Sequence, residues 1–150
     1  MSKIIVPDSN LFIKLFHPES DSEDAKVFFK TCAELNSNLI VPELFQYEIS
    51  AVVCEKHCDL KPVLDLFLSF KHSILTVTVP DESTWLLAEK IVRNGHPKSG
   101  FPSIYDSIYH ALAIQSGGVF LTADEKHFSK AKDFQHITLL KDWENIFISH

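Results

Sequence analysis

"KIIVPDSNLFIKLF", Lys3 to Phe16, holds three kinds of residue in order. Ile4, Ile5 and Val6 form a short apolar, β-branched run, the composition of a buried strand. Asp8 closes that run, and "NLFIKLF" then reads as a short apolar helix stopped by Pro18. "GGVFLTADEKHF", Gly117 to Phe128, repeats the order: a Gly-Gly turn, a strand, Asp124, and a helix through "DEKHFSKAKDF". A strand that runs into an acid and then into a helix is the repeating unit of a parallel sheet with its site at one edge.

The rest of the chain extends the pattern. "NLIVP" (38–42), "ILTVTVP" (74–80) and "HITLL" (136–140) read as further strands. Helices are expected over "DSEDAKVFFKTCAELN", capped by Asp21 or Ser22, and over "PELFQYEISAVVCEKHC", with Pro42 in its first turn. "KPVLDLFLSFKHS", "DESTWLLAEKIVRNG", "SIYDSIYHALA" and a closing "KDWENIF" read the same way. Alternating strands and helices imply parallel pairing with helical cover on both faces. Ligand sites in such sheets lie beyond the carboxyl ends of the strands, where Asp8 and Asp124 fall.

Composition bounds the function. The 150 residues, 45% hydrophobic and 23% charged, suit one globular domain spanning 1–150. No apolar run reaches the length of a membrane span, and "MSKIIVPDSN" lacks the features of a signal peptide, so a cytoplasmic location is expected. Cys32, Cys54 and Cys58 are an odd, small set, expected as free thiols buried in helices. Cys54, His57 and Cys58 share helical spacing, but no second pair completes a structural zinc site. A net charge of −6 counts against passive nucleic-acid binding, although not against an enzyme that touches nucleic acid locally. Four Gly cannot furnish a Walker or dinucleotide loop, and no nucleophilic triad is evident.

The acids remain. In "SIYDSIYHALA", Ile104, Ile108, Ala111 and Leu112 make an apolar stripe that Asp106 interrupts. Helix-dipole complementation alone would explain it. Glu48 borders the stripe of Leu44, Phe45, Ile49, Val52 and Val53 and leans inward, whereas Glu43 is explained by its first-turn position. Bringing Asp8, Glu48, Asp106 and Asp124 together creates repulsion: about 4 kcal/mol for two like charges about 4 Å apart at an effective dielectric near 20. Such a set requires protonation or a cation, and oxygen-only donors favour Mg²⁺ or Mn²⁺. A hard cation that grips phosphate and acidifies water suits phosphodiester hydrolysis.

"VPDSN", "VPELFQYEISAVV", "SIYDSIYHALAIQSGG" and "VFLTADEKHF", in this order, resemble the motifs of PIN-domain ribonucleases, and within them the VapC-like toxins of toxin–antitoxin pairs. The resemblance implies a three-layer α/β/α sandwich with a central parallel sheet, one or two Mg²⁺ or Mn²⁺ ions, and endonucleolytic cleavage of RNA. It implies Asp8, Glu48, Asp106 and Asp124 as metal-binding, catalytic acids, with Asp8 and Asp106 the direct ligands. Ser9, Asn10 and Thr122 match the polar groups that orient the carboxylates, although Ser9 and Asn10 after a strand equally serve as local caps. A small antitoxin partner and a homodimer follow from the same likeness.

Lys126 and His127 are the expected RNA phosphate contacts, being nearest to Asp124. Among twelve Phe, those of the early helices are expected mostly in the core, with any remaining exposed strip available to an antitoxin helix or a dimer partner. Tyr105 and Tyr109 flank Asp106, expected to pack and, alternatively, to stack a base. The rival readings are a non-catalytic PIN-fold module that binds RNA or protein, and an α/β hydrolase of small phosphate esters.

Overall fold

The structure, a computed structural model, describes residues 3–148. Five strands form one parallel sheet: β1 (Ile4–Pro7), β2 (Asn38–Pro42), β3 (Leu75–Thr78), β4 (Val119–Thr122) and β5 (Ile137–Leu139). Their spatial order is β3-β2-β1-β4-β5. The chain builds outward from β1 to one edge, then returns to β4 on its other side, so the order reverses between β1 and β4. Every strand expected from the sequence is present. Their runs of buried residues, most complete in β1 and β4, reflect cover on both faces.

Helices α1 (Ser9–Ile13), α2 (Ser22–Glu34), α3 (Leu44–Glu55) and α4 (Leu60–Lys71) belong to the β1–β2 and β2–β3 connections. Helices α5 (Glu82–Arg93), α6 (Ile104–Ser116) and α7 (Glu125–Ala131) belong to the β3–β4 and β4–β5 connections. Right-handed crossovers running opposite ways from β1 put the two groups on opposite faces, giving the α/β/α sandwich. A 3-10 stretch, Leu140–Ile146, closes the chain where a helix was expected.

The larger core is aromatic. Phe12 on α1 meets the rings of Phe16, Phe29, Phe45, Phe67 and Phe70 at centroid distances of 5.6–6.4 Å. Phe28 and Phe29 are buried as well, so the phenylalanines of the early helices are mostly core, as expected; what stays exposed there is Val27 and, just past α2, Leu35. Across the sheet, Tyr109 of α6 stacks on Phe120 of β4 at 5.7 Å, and a small satellite cluster joins α5 to α6 through Ala88, Ile91, Ile108 and Ala111.

Several local expectations shift. Pro42 ends β2, paired with Thr78, and α3 begins two residues later. Asp21 sits at the start of α2 without capping it, since its carboxylate is drawn to Lys14 at 3.0 Å. Of the cysteines only Cys32 is buried, its thiol pushed up to about 12 by desolvation; Cys54 is exposed and Cys58 lies past α3, partly exposed.

Candidate active site

Asp8 follows β1 directly and caps α1, its Oδ1 accepting from the backbone N–H of Asn10 at 3.3 Å. Thr122, the last residue of β4, donates to Asp8 Oδ2 at 2.8 Å. The same hydroxyl oxygen accepts the N–H of Asp124 at 3.0 Å, so one buried threonine ties the ends of the two central strands together. Asp124 in turn caps α7, accepting from the N–H groups of Lys126 and His127. Both aspartates therefore sit where strand becomes helix, at the point of strand-order reversal where open parallel sheets bind ligands.

The other two acids arrive from helices on opposite faces. Glu48 is on α3 and Asp106 on the first turn of α6, whose cap Ser103 accepts the Asp106 N–H at 3.1 Å. Ser9 Oγ lies 3.2 Å from Glu48 Oε1 and 3.4 Å from Asp8 Oδ1, bridging the two carboxylates. Tyr109 Oη donates to Glu48 Oε1 at 2.6 Å, clamping α6 to α3 past the edge of the sheet. Sequence reading assigned Tyr109 to packing, and it is fully buried; that its hydroxyl also holds Glu48 was not foreseen. The i, i+3 spacing from Asp106 was the available signal.

The electrostatics carry the mark of crowding. Burial, then repulsion from Asp106, push Asp8 up to about 6 against the opposing hydrogen bond from Thr122. Burial, then repulsion from Asp124, push Asp106 up to about 6 as well. Glu48 is also raised, by burial first, with the Tyr109 hydrogen bond opposing it. All four acids thus feel one another, without an ion pair strong enough to neutralise them.

His127 departs from expectation. It is only 2% exposed, packed against Phe120 and His110, so it belongs beneath the acids and not to a phosphate-contacting surface. The Gln135 carbonyl can only accept, so His110 Nε2 donates to it at 2.7 Å. His110 Nδ1 then takes the Nε2–H of His127 at 3.4 Å. His127 Nδ1 is left buried without a hydrogen-bond partner, 4.0 Å from Asp106 Oδ2. Burial, then His110, pull His127 down to about 4, so a neutral ring gives Asp106 no compensating charge. Lys126 remains exposed, as expected, and Lys130 on the same helix lowers the Asp106 pKa modestly. Asn10 is exposed beside Asp8, on a cleft of about 330 Å³ shared with Lys14, Lys56 and Asp124.

The donor set is all carboxylate and hydroxyl oxygen, which matches a hard divalent cation and not zinc. Among the described residues, no three His, Cys, Asp or Glu side chains stand close enough to hold an ion as they are.

A family model described as PIN domain matches residues 5–133. Among curated proteins, none matches the chain in sequence. Among solved structures, the VapBC2 complex of Rickettsia felis bound to a DNA fragment from its promoter is 16% identical, with a TM-score of 0.65 over 91% of this chain and 96% of that one. A protein from Pyrobaculum aerophilum is 15% identical at a TM-score of 0.64, covering 99% of this chain and 100% of that one. A PilT N-terminus domain protein from Sulfolobus solfataricus is 14% identical at 0.50, covering 98% and 95%. At such identities the likeness is one of fold.

Proposed function

The chain belongs to the PIN domain family, and on that footing we propose that it is a divalent-metal-dependent endoribonuclease, the toxin half of a type II toxin–antitoxin pair. Members of the family are generally nucleases and typically use divalent metals. The observation that carries the reading is geometric: at the point of strand-order reversal Thr122 ties Asp8 to the Asp124 turn and Ser9 bridges Asp8 and Glu48, with burial and neighbouring acids raising Asp8, Glu48 and Asp106. Carboxylates raised by burial and by one another are poised for a cationic ligand.

Asp8 and Asp106 would hold Mg²⁺ or Mn²⁺ directly, with Glu48 and Asp124 completing the acidic set. The bound ion would lower the pKa of a water and offset charge growing on the phosphoryl group. The chain's own side chains do the rest. Thr122 fixes Asp8 and, through the Asp124 N–H, the turn that carries Asp124. Ser9 and Tyr109 fix Glu48 from two sides. A carboxylate of this set takes the proton of the attacking water as the new P–O bond forms opposite the departing ribose oxygen, which leaves with a proton from solvent. Lys126 stands on the exposed side of α7 to meet the RNA backbone.

A small antitoxin partner and pairing of two copies belong to the same reading, supported by the fold shared with a toxin–antitoxin complex. The test is direct. Purified protein with Mg²⁺ or Mn²⁺ cuts RNA, EDTA stops it, and Asp8→Asn or Asp106→Asn each abolishes it. Wild-type protein that cuts no RNA from a broad panel with either metal overturns the proposal.

A further inference from the structure

Among the described residues, two buried polar side-chain atoms lack a hydrogen-bond partner, Ser107 Oγ and His127 Nδ1. A hydroxyl on a helix rotates, and its own backbone can take the proton. The His127 ring has no such freedom. It packs against Phe120 and His110, both at ring-centroid distances of 5.6 Å, and the residue is 2% exposed. A relay that ends on a main-chain carbonyl sets its tautomer. The Gln135 carbonyl fixes the proton on His110 Nε2, so His110 Nδ1 is bare and takes the Nε2–H of His127. The opposite tautomer of His127 would set two bare nitrogens against each other at 3.4 Å. His127 Nδ1 therefore carries a lone pair, and it stands 4.0 Å from Asp106 Oδ2. The same residue reaches a second acid, since its main-chain N–H donates to Asp124 Oδ1 at 3.1 Å.

A buried lone pair that faces a carboxylate calls for an electron-poor partner between the two. At 4.0 Å a carboxyl proton on Asp106 falls short of a hydrogen bond, whereas two donors about 2.1 Å from one metal ion can stand up to ~4.2 Å apart. We infer that His127 Nδ1 is a nitrogen ligand to the divalent ion held by Asp106, and that the site therefore prefers a first-row transition ion, Mn²⁺, to Mg²⁺. The inference rests on the reading above, that the acids hold a divalent cation, and adds one nitrogen to their oxygens. The relay behind the ring is the support that metal-bound imidazoles use: the far N–H is held by a hydrogen bond, which fixes the tautomer and raises the basicity of the ligating nitrogen. A neutral ring also adds a donor without adding charge to acids that already repel one another. Mg²⁺ keeps to oxygen and water, whereas first-row transition ions accept imidazole. Within that series the carboxylates around the ring select Mn²⁺.

The test loads the full chain with Mn²⁺ alone and reads the metal, not catalysis. Pulsed electron paramagnetic resonance on protein made with ¹⁴N- or ¹⁵N-histidine should show one imidazole nitrogen bound directly to Mn²⁺. His127→Phe should remove that coupling and lower the calorimetric Mn²⁺ affinity about 10-fold or more, with Mg²⁺ affinity nearly unchanged. His127→Asn, which offers an oxygen near the place of Nδ1, should recover part of the Mn²⁺ affinity without the nitrogen coupling. Wild-type protein whose bound Mn²⁺ couples to no histidine nitrogen overturns the assignment, whatever the variants do. So does a coupling that persists in His127→Phe, since another of the eight histidines is then the ligand. Equal losses of Mn²⁺ and Mg²⁺ affinity in His127→Phe overturn it as well, because the ring then only props the acids. Nitrogen-coupled Mn²⁺ on a chain that cuts no RNA keeps His127 as a ligand and overturns the nuclease. Metal-dependent cutting by protein that lacks the coupling does the reverse.

Discussion

Asp8 and Asp106 show what single residues contribute and cost. Both are raised to about 6, above the ordinary carboxylate value of 3.8. An acid whose folded-state pKa is raised favours folding in its protonated form. That stability is fully present below the unfolded pKa near 4 and is lost as pH rises through about 6. Metal-free protein should therefore weaken between pH 4 and pH 7. Asp8→Asn or Asp106→Asn should stabilise it at pH 7.5, by on the order of 1–3 kcal/mol, and bring no gain at pH 4. Urea unfolding at the two pH values reads this out; equal effects at both would contradict it. Thr122 works in the opposite sense, since it steadies Asp8 and the Asp124 turn at once. Thr122→Val keeps the volume of a fully buried side chain but removes the hydroxyl. Metal affinity by calorimetry, or nuclease rate, should fall about 10–100-fold with the circular dichroism spectrum unchanged.

At the scale of elements, the turn from α6 into β4 sets the position of the site. Gly117 ends α6 in the left-handed region at φ 71°, with open space around it. Gly118 is there for a different reason: a Cβ on it would stand 2.3 Å from the Ile4 carbonyl oxygen of β1. Gly118→Ala must push β4 away from the strand that carries Asp8, whereas Gly117→Ala meets only backbone strain. Chemical denaturation should show a loss of about 2–3 kcal/mol for the first and about 1 kcal/mol for the second. The reverse order would mean that the β1–β4 contact is looser than drawn. Much at this scale was legible beforehand. Short β-branched runs bounded by Gly, Pro and Asp gave all five strands, because a strand buried on both faces leaves a continuous apolar signal. Boundaries and caps were less legible. Asp21 fails to cap α2 because Lys14, at the end of the preceding helix, competes for its carboxylate.

For the whole molecule, a cation should relieve the repulsion among the acids at the site. Mg²⁺ or Mn²⁺ should raise the melting temperature at pH 7.5, by about 2.7 kcal/mol of added stability at one hundred times its Kd. The shift should vanish in Asp8→Asn, and it should shrink below pH 5, where protons occupy the acids instead. Calorimetry with and without EDTA measures both, and a metal-independent melting temperature would count against the site. Among the described residues, no helix is long and apolar enough to cross a membrane.

Local chemistry alone settled a great deal. A run of β-branched residues, a helical stripe or an acid after a strand imposes its preference on the nearest neighbours, so the alternating architecture could be read from residue order and the four acids singled out as candidates. Other features depended on which distant segments meet. Neither the burial of His127 against His110 nor the grip of Tyr109 on Glu48 follows from position along the chain. Tyr105 and Tyr109, four residues apart on α6, end one exposed and one fully buried because packing, not propensity, decides which face of α6 meets the sheet.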